Sequence, residues 1–156
     1  MLATVLARLR RIIDRVAPSA ETLAQREAQK LQRACFELLL EVARLDSAGS
    51  AQKRAAVAQA MSAQFGLRAD ALAPLLEGAA RPEDRLTSYY QPVAVINQLC
   101  APEQKAGFIE WLWRVALADG GIDMYEEQLV RKLADLLYVP HNDFILAKHR
   151  ALGAAA

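Results

Sequence analysis

The sequence predicts an all-α fold, a single-domain helical bundle of about seven to eight helices. Apolar residues recur at helical spacing along most of the chain, and only seven glycines and six prolines interrupt its 156 residues. Hydrophobic residues, many of them alanine, make up 54% of the chain, and strands are hard to find. This length is enough for one substantial core and short for two.

The amino-terminal segment, residues 1–18, is predicted to form an amphipathic helix ahead of a helical domain over residues 19–152. Residues 1–16 interleave apolar side chains with four arginines and one aspartate. A basic amphipathic helix can lie on a membrane surface. Packing on the domain, or on a second copy of the chain in a homodimer, is favoured because no Trp or Phe anchors the apolar face.

The chain between residues 19 and 101 divides into four predicted helices. Gly49 and Gly66 mark turns, and Pro92 either kinks the fourth helix or lies in its first turn. The side chains expected to face the core recur at helical spacing, and they are Leu31, Cys35, Leu38, Val42, Leu45, Val57, Met61 and Phe65.

Residues 111–137 are the stretch around which the chain is organised, two helices joined at Asp119-Gly120-Gly121. The first is apolar from Trp111 to Ala118 except at Arg114, which indicates a helix surrounded by other helices. The second is amphipathic. Its predicted core residues are Leu129, Leu133, Leu136 and Leu137, and its predicted solvent-facing residues are Glu126, Glu127, Arg131 and Lys132.

The corner between these helices has a predicted chemistry of its own. Gly120 or Gly121 can take the left-handed conformation that ends a helix. Asp123 is predicted to cap the next helix, with Glu126 reaching back as in a capping box. Asp119 lies beside the negative end of a helix dipole, which is unfavourable, so we expect another group to compensate it.

A weak internal repeat relates the two halves of the chain. Residues 42–46 match residues 115–119, and the apolar stripes that follow align after a one-residue difference in the turn. This predicts two pseudo-repeated helix-corner-helix units that share one core. A last helix is predicted over residues 142–152, with Ile145 and Leu152 on one face.

The run WRVALADGGIDMYEE, followed by LADLL, resembles the signature of the tellurite-resistance protein B (TerB) family and is similar to the N-terminal region of the DjlA co-chaperones. The likeness covers roughly Leu31 to Arg150. It implies an all-α bacterial domain of paired helices linked to tellurite resistance or envelope stress. It also implies a metal site at the acidic positions of the corner.

The strongest candidate for chemistry is therefore an acidic metal site. Its candidate ligands are Asp119, Asp123, Glu126 and Glu127, joined by Asp46 from the equivalent corner of the first half. Carboxylate oxygens suit Ca²⁺ or Mg²⁺, although the spacing is not that of an EF-hand, because Val130 stands where a bidentate glutamate is required.

The alternative interpretation is structural and is favoured over a metal site. Asp123 and Glu126 are explained by helix capping, Glu127 by an exposed face, and Asp119 by bonds to the turn. The first half also departs from the acidic pattern. Four residues stand where carboxylates would complete a second site, and they are Ser50, Ala51, Lys53 and Arg54.

Charge and motifs exclude several classes of protein. A net charge of +1 argues against a nucleic-acid binder with a broad basic face. Cys35 and Cys100 belong to no metal or redox motif and are expected to be core residues in a reducing cytoplasm. No signal peptide, membrane span or catalytic motif is recognisable, and His141 is expected to be an exposed residue.

We therefore expect a cytoplasmic, non-enzymatic binding or scaffold module of the stress response. Its protein partner is not identified by the sequence. The opposing hypotheses are a membrane-surface adaptor that uses residues 1–16 and a metal-dependent phosphoesterase.

Overall fold

The computed structural model describes residues 20–44, 51–78 and 86–155, together with residues 5, 7 and 8. These residues contain seven helices and no strand, so the predicted all-α fold is confirmed for them. The helices are α1 (Ala20–Arg44), α2 (Ala51–Phe65), α3 (Ala69–Gly78), α4 (Tyr90–Leu99), α5 (Pro102–Ala116), α6 (Met124–Leu136) and α7 (His141–Ala155).

The chain divides into two compact units, Met1–Lys30 and Leu31–Ala156. The division falls within α1. The predicted domain boundary after residue 18 lies outside the described residues, as do Leu45 and nearly all of the predicted amino-terminal helix. In the described part of the chain, none of the helices is both long and apolar enough to cross a membrane.

Helix α5 lies at the centre of the larger unit. Phe108, Ile109, Leu112, Trp113 and Val115 are all buried, which agrees with the prediction of a helix surrounded by others. Trp113 is fully buried, whereas Trp111 is partly buried under the guanidinium of Arg114, 4.4 Å from its ring centroid. The two tryptophans of α5 therefore have different surroundings, because only Trp113 lies wholly inside the core.

Among the helices that the structure describes, α7 and α5 make the most extensive contact. Helix α7 turns Phe144, Ala147 and Ala151 to the core, whereas Ile145 is partly buried against the core and Leu152 is 43% exposed. The two alanines are small, so the backbones can approach closely. Phe144 fills the remaining space beside Trp113, with ring centroids 5.2 Å apart.

Helix ends follow the local chemistry of the sequence. Pro92 lies in the first turn of α4, and Pro102 is the first residue of α5. Amide groups at these positions have no acceptor within the helix, so a residue without an N–H costs no hydrogen bond. Gly66 ends α2 with a φ of 67°. Tyr138, which follows α6, has a φ of 58°, a conformation that residues with a side chain rarely adopt.

The predicted core stripes of the larger unit are largely confirmed. Among the residues described, Cys35, Leu38, Val57, Met61 and Leu133 are buried. Leu136 was predicted to be a core residue, and that prediction is wrong because its side chain is 40% exposed. The next residue, Leu137, is fully buried and faces the core at this end of α6. Adjacent side chains on a helix point in different directions, so Leu136 is turned towards solvent.

Candidate functional site

The acidic corner, residues 117–123, joins α5 to α6. Leu117 caps α5, and the amide of Gly120 donates a hydrogen bond of 3.1 Å to the carbonyl of Leu117. Gly120 has a φ of 91°, so the predicted left-handed turn residue is found at the first of the two glycines. The turn brings Asp119, Asp123 and Glu126 around one open cleft, which Gly121 and Ile122 also line.

Asp123 is the N-cap of α6, as predicted. Its Oδ1 accepts a hydrogen bond of 2.8 Å from the amide of Glu126. The reciprocal half of the predicted capping box is not formed, because the Glu126 side chain turns away from the backbone of Asp123 and bonds elsewhere. The cap satisfies one of the amide groups that the first turn of a helix leaves without a partner.

The side chain that meets Glu126 is Lys53, from the first turn of α2. Its ammonium donates a hydrogen bond to Glu126 Oε1 and lies 3.5 Å from Asp119 Oδ2. Lys53 is 1% exposed and Glu126 is 2% exposed, so this is an ion pair inside the protein. The prediction that Glu126 faces water is wrong, because the carboxylate serves as the buried counterion of Lys53.

Glu126 also has a perturbed acidity. Burial raises the pKa of its carboxyl above the ordinary value of 4.5, and the nearby charges of Asp123 and Asp119 add to that rise. The hydrogen bond and charge of Lys53 oppose it. The other carboxylate oxygen of Glu126, Oε2, is buried and has no hydrogen-bond partner.

Asp119, which lies near the negative end of the α5 dipole, has the predicted compensating group. The ammonium of Lys53 offsets the interaction of Asp119 with the negative end of the helix dipole. Its side chain is 27% exposed, so one side of the carboxylate still faces the cleft. The sequence predicted the need for a partner but did not identify it.

The remaining predicted ligands do not join this group. Glu127 points towards α7, where its Oε1 lies 3.4 Å from the ammonium of Lys148. Asp46 lies outside the described residues. Among the described positions, no three His, Cys, Asp or Glu side chains are grouped so that they could hold a metal ion.

A divalent cation does not fit the described part of the corner. The place between Asp119 and Glu126 that such an ion would take already holds a buried ammonium, and two cations at that distance repel each other strongly. Asp123 is occupied by the helix cap, and Glu127 by Lys148. The Ca²⁺ or Mg²⁺ site that includes Asp46 stays a prediction.

Sequence reasoning missed two buried charged residues. Lys53 was noted only as a departure from an acidic pattern, and Glu41 was not singled out. Glu41 Oε1 accepts a hydrogen bond of 2.9 Å from the amide of Leu86, which joins α1 to the segment before α4. Both residues lie in phase with apolar stripes on their helices, and this is the signal that could have indicated their burial.

The model of the tellurite resistance protein TerB family matches residues 32–149. The protein belongs to the TerB family. The match covers most of the chain and includes both the acidic corner and Lys53. No curated protein and no solved structure matches the chain.

Elsewhere on this TerB domain, a tyrosine is exposed just after the end of α6. Tyr138 is 79% exposed, and the ammonium of Lys105 lies 5.8 Å from its ring centroid. Asn97 of α4 donates a hydrogen bond of 3.1 Å to the carbonyl of Leu136, which places α4 beside this end of α6. Tyr90, at the start of α4, is also exposed.

The cysteines of the domain are unsuited to nucleophilic chemistry. Both are free thiols, and Cys35 is buried, as expected of a core residue. Burial raises the pKa of the Cys35 thiol to about 12, and Cys100 adds to the effect. The thiol therefore stays protonated at neutral pH, and the thiolate is the reactive form.

Proposed function

We propose that this protein is a non-catalytic binding module of the tellurite-resistance type, and that it docks a protein partner at the end of α6. The observation that carries the proposal is the conformation of Tyr138. Its backbone is left-handed while the residue as a whole is 79% exposed. Backbone strain of this kind clusters at active sites, at sites that hold ligands and in switch regions.

The local structure at this position calls for glycine. The amide of Val139 donates a hydrogen bond of 2.9 Å to the carbonyl of Ala134, the bond that closes a helix through a left-handed residue. A side chain in that conformation costs about 1 to 2 kcal/mol. Because the Tyr138 ring is mostly in solvent, burial within the domain does not recover this cost.

The surroundings of Tyr138 suit a protein partner. Exposed tyrosine is common among the residues that dominate binding energy at interfaces. Leu136, two residues before Tyr138, adds exposed apolar area. Two lysines border this surface: Lys105 lies over the Tyr138 ring, and Lys132 has its ammonium 5.4 Å from the ring centroid of Tyr89. We therefore expect an apolar partner surface bordered by carboxylates.

The test replaces Tyr138 with glycine. Tyr138→Gly relieves the strain, so the free energy of unfolding in urea should rise by about 1 kcal/mol. Tellurite resistance, measured by growth of a strain whose own copy is deleted and which carries the variant, should fall. Opposite changes in stability and function separate a binding role from a structural one.

Tyr125→Ala is the matched control, because Tyr125 is 72% exposed on α6 in ordinary helical conformation. It should leave growth on tellurite unchanged. If Tyr138→Gly also supports full growth, the docking face is wrong. If deletion of the gene does not make the strain sensitive to tellurite, the link to tellurite is wrong. An independent test places a photo-crosslinking residue at position 138, and the absence of a discrete adduct would exclude the docking face.

A further inference from the structure

We propose that Lys53 is an internal cation that takes the place of a divalent ion in the acidic corner. The family resemblance implies a metal among these carboxylates. In this chain the ammonium of Lys53 lies between the carboxylates of Glu126 and Asp119, with 1% of the lysine side chain exposed. The chain itself therefore places a positive charge between these two carboxylates, at the point that a bound metal would take.

The position of Lys53 supports this assignment. A lysine in the first turn of a helix meets the positive end of the helix dipole, which is unfavourable. The first turn of α2 contains no acidic residue that could offset it. The compensation comes from the other half of the bundle, where Glu126 stands in the first turn of α6 and Asp119 follows α5.

The ammonium also excludes a metal by charge and by space. A buried carboxylate requires a counterion, and Glu126 has one in direct hydrogen-bonding contact. A divalent ion at the same point would have to displace Lys53, which would leave a buried ammonium next to a second cation. Stability should therefore be independent of Ca²⁺ and Mg²⁺.

Removing the lysine should create a response to metal. Without Lys53, the carboxylates of Glu126 and Asp119 would face each other across a space that the ammonium had filled. The unpartnered Oε2 of Glu126 and the open cleft beside Asp123 leave oxygen atoms and room for water. Hard divalent cations take such oxygen ligands.

The experiment is thermal unfolding of the full chain in EDTA, in millimolar Ca²⁺ and in millimolar Mg²⁺, at matched ionic strength. An ion that binds the folded state raises its Tm. The wild type should show the same Tm in all three conditions. Lys53→Ala should unfold roughly 10 °C lower in EDTA and recover several degrees with Ca²⁺ or Mg²⁺.

Lys148→Ala is the matched control, because it removes a lysine from the more exposed carboxylate of Glu127 and should create no response to metal. The double variant Lys53→Met/Glu126→Leu removes both buried charges. It should fold in EDTA with a higher Tm than Lys53→Ala and should not respond to metal.

Three results would overturn the proposal. One is a wild type that Ca²⁺ or Mg²⁺ stabilises at matched ionic strength. Another is a Lys53→Ala variant that folds but does not respond to either ion. If Lys53→Ala folds in no condition, the double variant decides: its failure to fold would show that Lys53 is needed for packing and not as a counterion.

Discussion

Helices α2 and α6 pack apolar stripes into the same core, yet their first turns carry opposite charges. The buried stripes are Val57 and Met61 in α2, and Leu129 and Leu133 in α6. Ahead of these stripes α2 buries Lys53, whereas α6 buries Glu126 behind an aspartate cap. The match between the two halves in apolar pattern is therefore accompanied by a mismatch in charge.

This difference is what joins the two helices. Two acidic first turns would repel each other unless a cation lay between them, and here Lys53 supplies the cation from within the chain. The arrangement makes one half depend on the other. Removing either member of the pair would leave the other as an uncompensated buried charge.

The strongest way to break the comparison is to remove the anion of α6. Glu126→Ala should lower the free energy of unfolding in urea by about 3 to 5 kcal/mol, because the buried ammonium of Lys53 loses its main partner. The matched control is Glu127→Ala, on the next residue of the same helix. Its partner Lys148 is partly exposed, so the loss should be at most about 1 kcal/mol. Equal losses would show that burial of the pair does not determine its contribution.

A smaller effect on stability distinguishes the capping hydrogen bond of Asp123 from its negative charge. Asp123→Ala removes the acceptor of the Glu126 amide and should cost about 1 kcal/mol, measured by urea unfolding. Asp123→Asn keeps an acceptor and removes the negative charge beside Glu126, so its stability should stay near that of the wild type. An equally large loss for Asp123→Asn would indicate that the charge of Asp123 matters more than the cap.

The smallest expected effect is a pH dependence of stability that arises from Glu126 in α6. The raised pKa of Glu126 means that the folded state holds its proton at pH values where the unfolded state has released it. The stability that this bound proton contributes is therefore complete below the ordinary pKa of 4.5 and is lost as the pH rises through the folded pKa.

The measurement is urea unfolding of the wild type and of Glu126→Gln at a series of pH values. The difference in the free energy of unfolding, wild type minus variant, should decrease as the pH rises from below 4.5. The comparison removes the titration of the other carboxylates, which both proteins share. A difference that grows with pH would mean that Lys53 lowers the pKa of Glu126 by more than burial raises it.

The fold and the backbone of the site could be predicted because they depend on local chemistry. Gly120 in a left-handed turn and Asp123 as an N-cap follow from residue types at fixed positions. The burial of Trp113 and Leu133 follows from helical periodicity. These features need no knowledge of which helices meet.

The ion pair could not be predicted in the same way because it depends on tertiary contact. Lysine and glutamate are mostly solvent-exposed, so Glu126 was assigned a capping or solvent-facing role and Lys53 was noted only as a departure from an acidic pattern. Their spacing nevertheless held information, since Lys53 lies four residues before Val57 and Glu126 lies three before Leu129. Each of the two apolar stripes is preceded at helical spacing by a charged residue, and the two charges have opposite signs. This pattern would have indicated that Lys53 and Glu126 form a pair.

The bond between Lys53 and Glu126 also constrains the order of folding. It joins residues 73 positions apart, and closing a loop of that length costs chain entropy before any contact repays it. The pair can therefore form only once both helices have reached the core. We expect the pair to form after the transition state, where an interaction slows unfolding and leaves the folding rate almost unchanged, so that it extends the lifetime of the folded bundle without speeding its formation.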